Sequence, residues 1–299
     1  MTWPFLPDNR ADMASRDDTD LVGDLLQEAT DALRTRSDSP RLDAEVLLAH
    51  LLERPRSHLH AWPRRPVPPA IATGFRRLVQ RRARGEPVAY LTGRKEFWSL
   101  TLRVNRHTLI PRPETECLVE RALALLPADA ACRIADLGTG SGAIALALAK
   151  ERPRWRLTAC DISRRALVTA RANARRLGLS RQVDFRLSDW CRCLDTAERF
   201  DLIAANPPYV RAGDPRLAED VLRFEPATAL IAGTEGLEAL RAIAGQARHF
   251  LRPGGWLLLE HGDDQQACVQ RLLAKEGYED IEGWQDHAGR PRLVQARRI

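Results

Sequence analysis

The sequence contains no run of about 18 uninterrupted apolar residues, which excludes a membrane-spanning helix. It also lacks a basic start followed by an apolar core. Residues 1–20 instead mix Pro4, Pro7 and Asn9 with Asp8, Asp12, Asp17, Asp18 and Asp20, so no secretory leader is expected and the chain is assigned to the cytoplasm. That segment has no apolar periodicity and is expected to remain a disordered tail. Cysteine spacing of the zinc-knuckle type is missing too: the six cysteines are scattered, and the close pair Cys191 and Cys193 has one intervening residue, so reduced structural thiols are expected and no metal. Low-complexity tracts are absent. The formal net charge of +6 permits a nucleic-acid partner, but its arginines are spread along the whole chain and charge alone decides nothing.

What is present is a chain of 299 residues, 44% of them hydrophobic, enough for one large or two unequal domains. Val22, Leu25, Leu26, Ala29 and Leu33 form a helical stripe with Asp20 placed to cap it. Ser39 and Pro40 supply the N-cap and first residue of a second helix, with Leu47, Leu48, Leu51 and Leu52 as its apolar face. A third stripe of Ile71, Phe75, Leu78 and Val79 ends at Gly85. Residues 21–85 are therefore read as a small all-helical domain. Its last helix carries Arg76, Arg77, Arg81, Arg82 and Arg84, either a solvated face or a site for an acidic partner. Residues 86–112 read as a linker, with a strand-like run at 96–104 that makes a short hairpin.

From Pro113 strands and helices alternate. Strands are expected at 133–137, 156–160, 183–187, 200–204 and 256–260, with helices such as 143–151 and 164–177 between them. Two further strands at 280–284 and 293–296 have no helix between them, so that pair is antiparallel. Residues 113–299 thus read as an α/β domain with a mainly parallel, doubly wound sheet of seven strands.

The first of these strands runs into Asp136-Leu137-Gly138-Thr139-Gly140-Ser141-Gly142 and directly into a helix. Glycines there permit positive φ and let a ligand lie against bare backbone, beside the free N–H groups of a helix start. A dinucleotide fingerprint spaces its glycines G-x-G-x-x-G; here the third comes one residue early, a pattern similar to methyltransferases. Asp161, ending the second strand, can accept hydrogen bonds from two ribose hydroxyls, which identifies a ribose and not the cofactor. Ser188-Asp189-Trp190 places an acceptor beside a large aromatic, suited to the amino group and face of adenine or to a buried core position.

The strand at 200–204 leads to Asn206-Pro207-Pro208-Tyr209. Ligands of open α/β sheets bind outside the carboxyl ends of the strands, so this tetrapeptide should face the glycine loop's crevice. A planar amide or amino nitrogen is a poor nucleophile because its lone pair is delocalised; it needs acceptors and alignment more than a strong base. The Asn206 side-chain oxygen and the Pro207 carbonyl can each accept one N–H, the prolines add no competing donor, and Tyr209 can fix the plane of the target group. These acceptors match a carboxamide and adenine's exocyclic amine equally well.

The chain resembles the bacterial release factor glutamine methyltransferases, the PrmC/HemK family, over residues 21–299. The stretches that carry the resemblance are 86–93 (Glu-Pro-Val-Ala-Tyr-Leu-Thr-Gly), 110–116 (Ile-Pro-Arg-Pro-Glu-Thr-Glu), 136–142, 206–209, 223–226 (Arg-Phe-Glu-Pro) and 258–262 (Leu-Leu-Glu-His-Gly). The resemblance implies a class I methyltransferase domain, a helical N-terminal domain that docks substrate, S-adenosyl-L-methionine as cofactor, and a glutamine in the Gly-Gly-Gln loop of class 1 release factors as methyl acceptor. It assigns Gly138, Thr139, Gly140, Ser141, Gly142, Asp161, Trp190 and Asn206 to the cofactor and Asn206, Pro207, Pro208 and Tyr209 to the glutamine; the residue chemistry above adds Asp189 to the cofactor set and gives Asn206, Pro207 and Tyr209 the catalytic part. A ribosomal protein glutamine methyltransferase would share this site. A DNA or RNA adenine methyltransferase would need a base-flipping recognition region that the helical domain hardly resembles, so no direct nucleic-acid binding is expected.

Overall fold

The computed structural model describes residues 20–299, so the tail expected at 1–20 lies outside the described residues except for Asp20. They form two compact units that part between Thr92 and Gly93. No helix among the described residues is long and apolar enough to cross a membrane.

The first unit is entirely helical: α1 (Val22–Leu33), α2 (Pro40–Leu52), α3 (Arg56–Ala61), α4 (Pro69–Ala83) and α5 (Val88–Thr92). Leu25, Leu26, Leu33, Leu47, Leu48 and Phe75 fill its core, the faces that the 3.6-residue stripes mark out. Helices α3 and α5 are additions to the three expected; at six and five residues they are too short to display a period. Leu91 on α5 joins the core, so part of the expected linker belongs to this unit. The capping of α1 also differs. Leu21 stands at the N-cap, while Asp20 takes two bonds from Arg76 at 3.0 and 2.6 Å, a stronger charge-assisted arrangement than a single cap. Ser39 and Pro40 sit where expected on α2, but the serine side chain makes no capping bond. On α4, Arg76 pairs with Asp20 and Glu28, Arg81 with Glu86, and Arg82 with Asp43. These three guanidinium groups bind the unit's own carboxylates.

The second unit opens with a hairpin, β1 (Arg94–Phe97) and β2 (Leu100–Arg103), whose turn residues Trp98 and Ser99 have φ of 50° and 56°. Positive φ at both central residues gives the turn the twist that antiparallel neighbours require. Then follow α6 (Glu116–Leu125), β3 (Arg133–Leu137), α7 (Ala143–Glu151), β4 (Arg156–Asp161), α8 (Arg164–Arg176), β5 (Val183–Leu187), β6 (Phe200–Ala205), α9 (Glu219–Phe224), α10 (Glu238–Phe250), β7 (Leu251–Glu260), α11 (Gln266–Lys275), β8 (Tyr278–Gln285) and β9 (Pro291–Arg298). The sheet order is β5-β4-β3-β6-β7-β9-β8. Strands β3 to β7 are parallel; β9 runs antiparallel to both β7 and β8 and lies between them.

Strand alternation explains the two cores. On β3, Ile134 enters the core on one face while Ala135 and Leu137 enter the other; on β6, Leu202 and Ala204 oppose Ile203 and Ala205. The chain winds outward from β3 to β5, then returns to lay β6 on the other side of β3. That reversal opens a crevice at the carboxyl ends of the central strands, where α/β sheets bind their ligands.

Candidate functional site

The glycine loop leaves β3 with φ of 78° at Gly138, 57° at Gly140 and 87° at Gly142. A Cβ on Gly138 would lie 3.4 Å from Trp190 Cζ3, and one on Gly142 only 2.9 Å from Leu146 Cδ1. The torsion favours glycine at both places, and at Gly142 a side chain would also have to displace Leu146. The backbone N–H groups of Gly138 and Thr139 donate to the Cys160 carbonyl at 2.8 and 2.9 Å, fastening the loop to the end of β4. Asp136 holds it from beneath: one carboxylate oxygen accepts from the Thr139 hydroxyl at 2.6 Å and from the Ala145 N–H, in the first turn of α7, at 3.2 Å. Its other oxygen is buried without a partner. Burial pushes the Asp136 pKa up to about 7 against the pull of these two donors.

Gly138, Gly140, Asp161, Asp189, Trp190 and Asn206 line one cavity of about 320 Å³, with Pro208 at its edge. Thr139, Ser141 and Gly142 do not line it; Thr139 and Ser141 are buried and serve the loop's own anchoring, the latter through its carbonyl, which accepts from Asn173 Nδ2 at 2.9 Å. Asp161 accepts from Gly140 N–H through one oxygen and from Ser163 N–H through the other, both at 2.8 Å. A carboxylate has about four lone-pair positions, so each oxygen keeps one for a ligand hydroxyl. Burial raises its pKa, opposed by the two backbone donors. Ser163 caps α8, accepting from Ala166 N–H at 3.2 Å, which frees Asp161 from that task. Trp190 has φ of 51°, uncommon for a bulky residue, and its carbonyl is held by the Ser188 hydroxyl at 2.7 Å. Asp189 is partly exposed and pairs with Arg192 at 3.3 Å.

Asn206 follows the fully buried β6. Its Nδ2 donates to Thr115 Oγ1 at 3.0 Å, which fixes the amide and leaves Oδ1 as the end available to a ligand. Pro207 and Tyr209 do not line the first cavity. Tyr209 instead borders a neighbouring cavity of about 320 Å³ with Arg211, Gly262 and Arg292. Its hydroxyl donates to Glu260 at 3.4 Å and accepts from Arg292 at 3.4 Å, so the ring is tethered at its tip. Glu260 is buried, with one oxygen lacking a partner. Burial drives its pKa up to about 7, moderated by the Thr115 hydroxyl and Arg292. Glu225 accepts from Ile110 N–H at 3.0 Å and pairs with Arg112, joining the segments 110–116 and 223–226. Thr115, Glu225 and Glu260 received no role from sequence reasoning. All three lie in the motif stretches quoted above, and that was their only signal.

Two family models match the chain: the PrmC N-terminal domain over residues 24–93 and the methyltransferase small domain over residues 115–227. The release factor glutamine methyltransferase of Salmonella typhimurium is 48% identical over 272 residues, covering 91% of this chain and 97% of the relative. Its counterpart in Pseudomonas aeruginosa is 51% identical over 258 residues, covering 86% of this chain and 92% of the relative. Among solved structures, the hMettl16 catalytic domain in complex with MAT2A 3'UTR hairpin 1 superposes with a TM-score of 0.54 at 18% identity, covering 79% of this chain and 83% of that one. That likeness is one of fold. With relatives this similar along nearly their entire length, the chain belongs to the release factor glutamine methyltransferase family.

Proposed function

We propose that the protein transfers the methyl group of S-adenosylmethionine to the side-chain amide nitrogen, N5, of the glutamine in the Gly-Gly-Gln loop of class 1 peptide chain release factors, in the cytoplasm. The observation that carries this reading is the fixed Asn206 amide at the edge of a ribose- and purine-sized cavity. The cavity's residues fit the cofactor: bare backbone at Gly138 and Gly140, spare lone pairs on Asp161, and Asp189 and Trp190 for adenine. When bound there, S-adenosylmethionine supplies an electrophilic methyl group on a cationic sulfur.

Asn206 Oδ1 and the Pro207 carbonyl each take one hydrogen of the glutamine carboxamide, and the tethered Tyr209 ring sets the plane of that group. The prolines offer no N–H to compete. With both hydrogens held, the nitrogen lone pair has one direction open, and such orientation is worth up to about 7–11 kcal/mol in favourable cases. The nitrogen exchanges one N–H for N–CH3, and the displaced proton passes to water. The helical unit of residues 20–92 contains none of these groups and serves as a docking element for the protein substrate. Flanking glycines in the substrate loop let the glutamine enter without steric conflict.

Incubating the enzyme with labelled S-adenosylmethionine and either purified release factor or DNA tests the assignment. The expected result is a mass gain of one methyl on the loop peptide of the release factor. Label in adenine, or in a release factor whose loop glutamine has been replaced, overturns it.

A further inference from the structure

Helix α8 carries Arg164, Arg165, Arg171, Arg175 and Arg176 and no acidic residue in thirteen positions. Arg171 reaches the Phe185 carbonyl at 2.6 Å. Among the described residues, the side chains of Arg164, Arg165, Arg175 and Arg176 have no carboxylate partner, in contrast to the paired arginines of α4.

A basic strap lies alongside. Asn173 of α8 accepts from Arg103 N–H at 2.7 Å and donates to the Arg103 carbonyl at 2.9 Å, and Asn105 donates to Thr169 at 2.9 Å. Thr169 and Asn173 are one helical turn apart, so residues 103–107 run along the helix. Arg103 is thereby brought toward Arg176, and Arg106 and His107 toward Arg165. Partial burial and then the positive charge of Arg103 and Arg94 hold Arg176 below its usual pKa; partial burial and then Arg165 and Arg106 do the same to His107.

Arg175 and Arg176 stand in the last turn of α8, where the helix dipole favours a cation, but the charges at its start do not serve the fold. Arg164 and Arg165 occupy the first turn of α8, where the helix dipole disfavours cations. Two aliphatic side chains stand among them, Ile162 at 67% exposure and Val168 at 65%. The band also borders the cofactor cavity, whose rim includes Arg106, His107 and Ile162.

We propose that α8, with the 103–107 strap beside it, is a docking surface for an acidic patch on the folded protein substrate, engaged while the glutamine loop enters the neighbouring site. This rests on the release factor reading of the activity. Uncompensated arginines around exposed aliphatic groups match the composition of protein interfaces. A nucleic acid would leave Ile162 and Val168 without a counterpart, and α8 with its strap offers no Phe, Tyr or Trp for base stacking.

The double variant Arg164→Glu/Arg165→Glu tests the proposal, because acids in a helix's first turn favour the fold while they repel an acidic partner. The expected outcome is a KM for release factor raised about ten-fold at low salt, with kcat and S-adenosylmethionine affinity within about two-fold of wild type. The melting temperature should be unchanged or higher. Raising salt from about 0.05 to 0.5 M should increase the wild-type KM and leave the variant's nearly flat. A variant KM within about two-fold of wild type, with the same salt dependence, overturns the proposal. So does loss of oligonucleotide binding with an unchanged release factor KM, which would assign the surface to nucleic acid. A release factor KM that falls on deletion of residues 1–19 in wild type but not in the variant would assign it to the acidic tail, and overturn it likewise. Failure of the wild-type enzyme to methylate release factor at all is a separate result, and it sinks the substrate assignment instead.

Discussion

The helical unit and the catalytic unit treat buried polar atoms differently. Among the described residues, no buried side-chain nitrogen or oxygen in the helical unit lacks a hydrogen-bond partner. In the catalytic unit nine such atoms do, and Asp136 Oδ1, Glu260 Oε2, His261 Nε2 and Arg292 Nε are four of them. Asp136 lies at the carboxyl end of β3 and Glu260 at that of β7, on the side of the sheet where the site opens. Each unsatisfied buried group costs about 1–3 kcal/mol, so the catalytic unit tolerates a penalty that the helical unit avoids. Asp136 and Glu260 bear that penalty beside the site. Arg152 and Trp155, ahead of β4, and Arg298, beside the start of β7, bear it at the amino end of the parallel strands, so the site accounts for part of the penalty only.

The largest effect that would sharpen this contrast is at Asn206. Asn206→Ala should lower kcat by about 10²-fold or more, since an orienting acceptor is lost, while the melting temperature changes little. Steady-state kinetics beside a thermal melt measures both, and near wild-type turnover would remove Asn206 from the chemistry. Next comes Asp161→Ala, which takes acceptors from the ribose and also from Gly140 and Ser163 N–H. Cofactor binding should weaken by about 1–3 kcal/mol, read by titration calorimetry; unchanged affinity would mean the ribose lies elsewhere.

The helical unit should respond in the opposite currency. Asp43 is buried and accepts from the Ser37 hydroxyl and from Arg82, both at 2.7 Å. Asp43→Ala should cost about 1–3 kcal/mol in denaturant unfolding and leave cofactor affinity untouched. Weakened cofactor binding in that variant would break the comparison. The last effect concerns pH. Glu260 is raised from an ordinary carboxylate value of 4.5 to about 7, so below 4.5 both folded and unfolded chains carry the proton and its full stabilisation is present. As pH rises through 7 the folded chain must ionise a buried carboxylate, and that contribution is lost. In Glu260→Gln the fall in stability between pH 4.5 and 7 should be shallower; an unaltered slope would show that Glu260 does not titrate there.

Much of the sheet was legible because its elements are locally periodic. Strands 133–137 and 183–187 and helix 143–151 fall where their patterns put them, and the glycine spacing marked the loop at Gly138 to Gly142. What periodicity cannot show is partnership across the chain. Asp20 reads as a local cap, yet its partner Arg76 is 56 residues away. The same holds for Thr115 beneath Asn206, 91 residues apart, and for Glu225 beneath Ile110, 115 apart. The turn at Trp98 and Ser99 was hidden for another reason: neither residue type signals positive φ, so only a hairpin somewhere within 96–104 could be expected.

One side chain also bears on the order in which the protein assembles. Asn173 is fully buried, and its carboxamide joins three stretches of chain: α8, the exit of β2 at Arg103 and the glycine loop at Ser141. Those partners are 70 and 32 residues distant, so the links can form only after large loops have closed, a step that is entropically expensive and therefore late. The glycine loop should consequently gain its final shape near the end of refolding. Cofactor competence would then lag behind the recovery of helical signal, and the lag would lengthen if Asn173 were shortened.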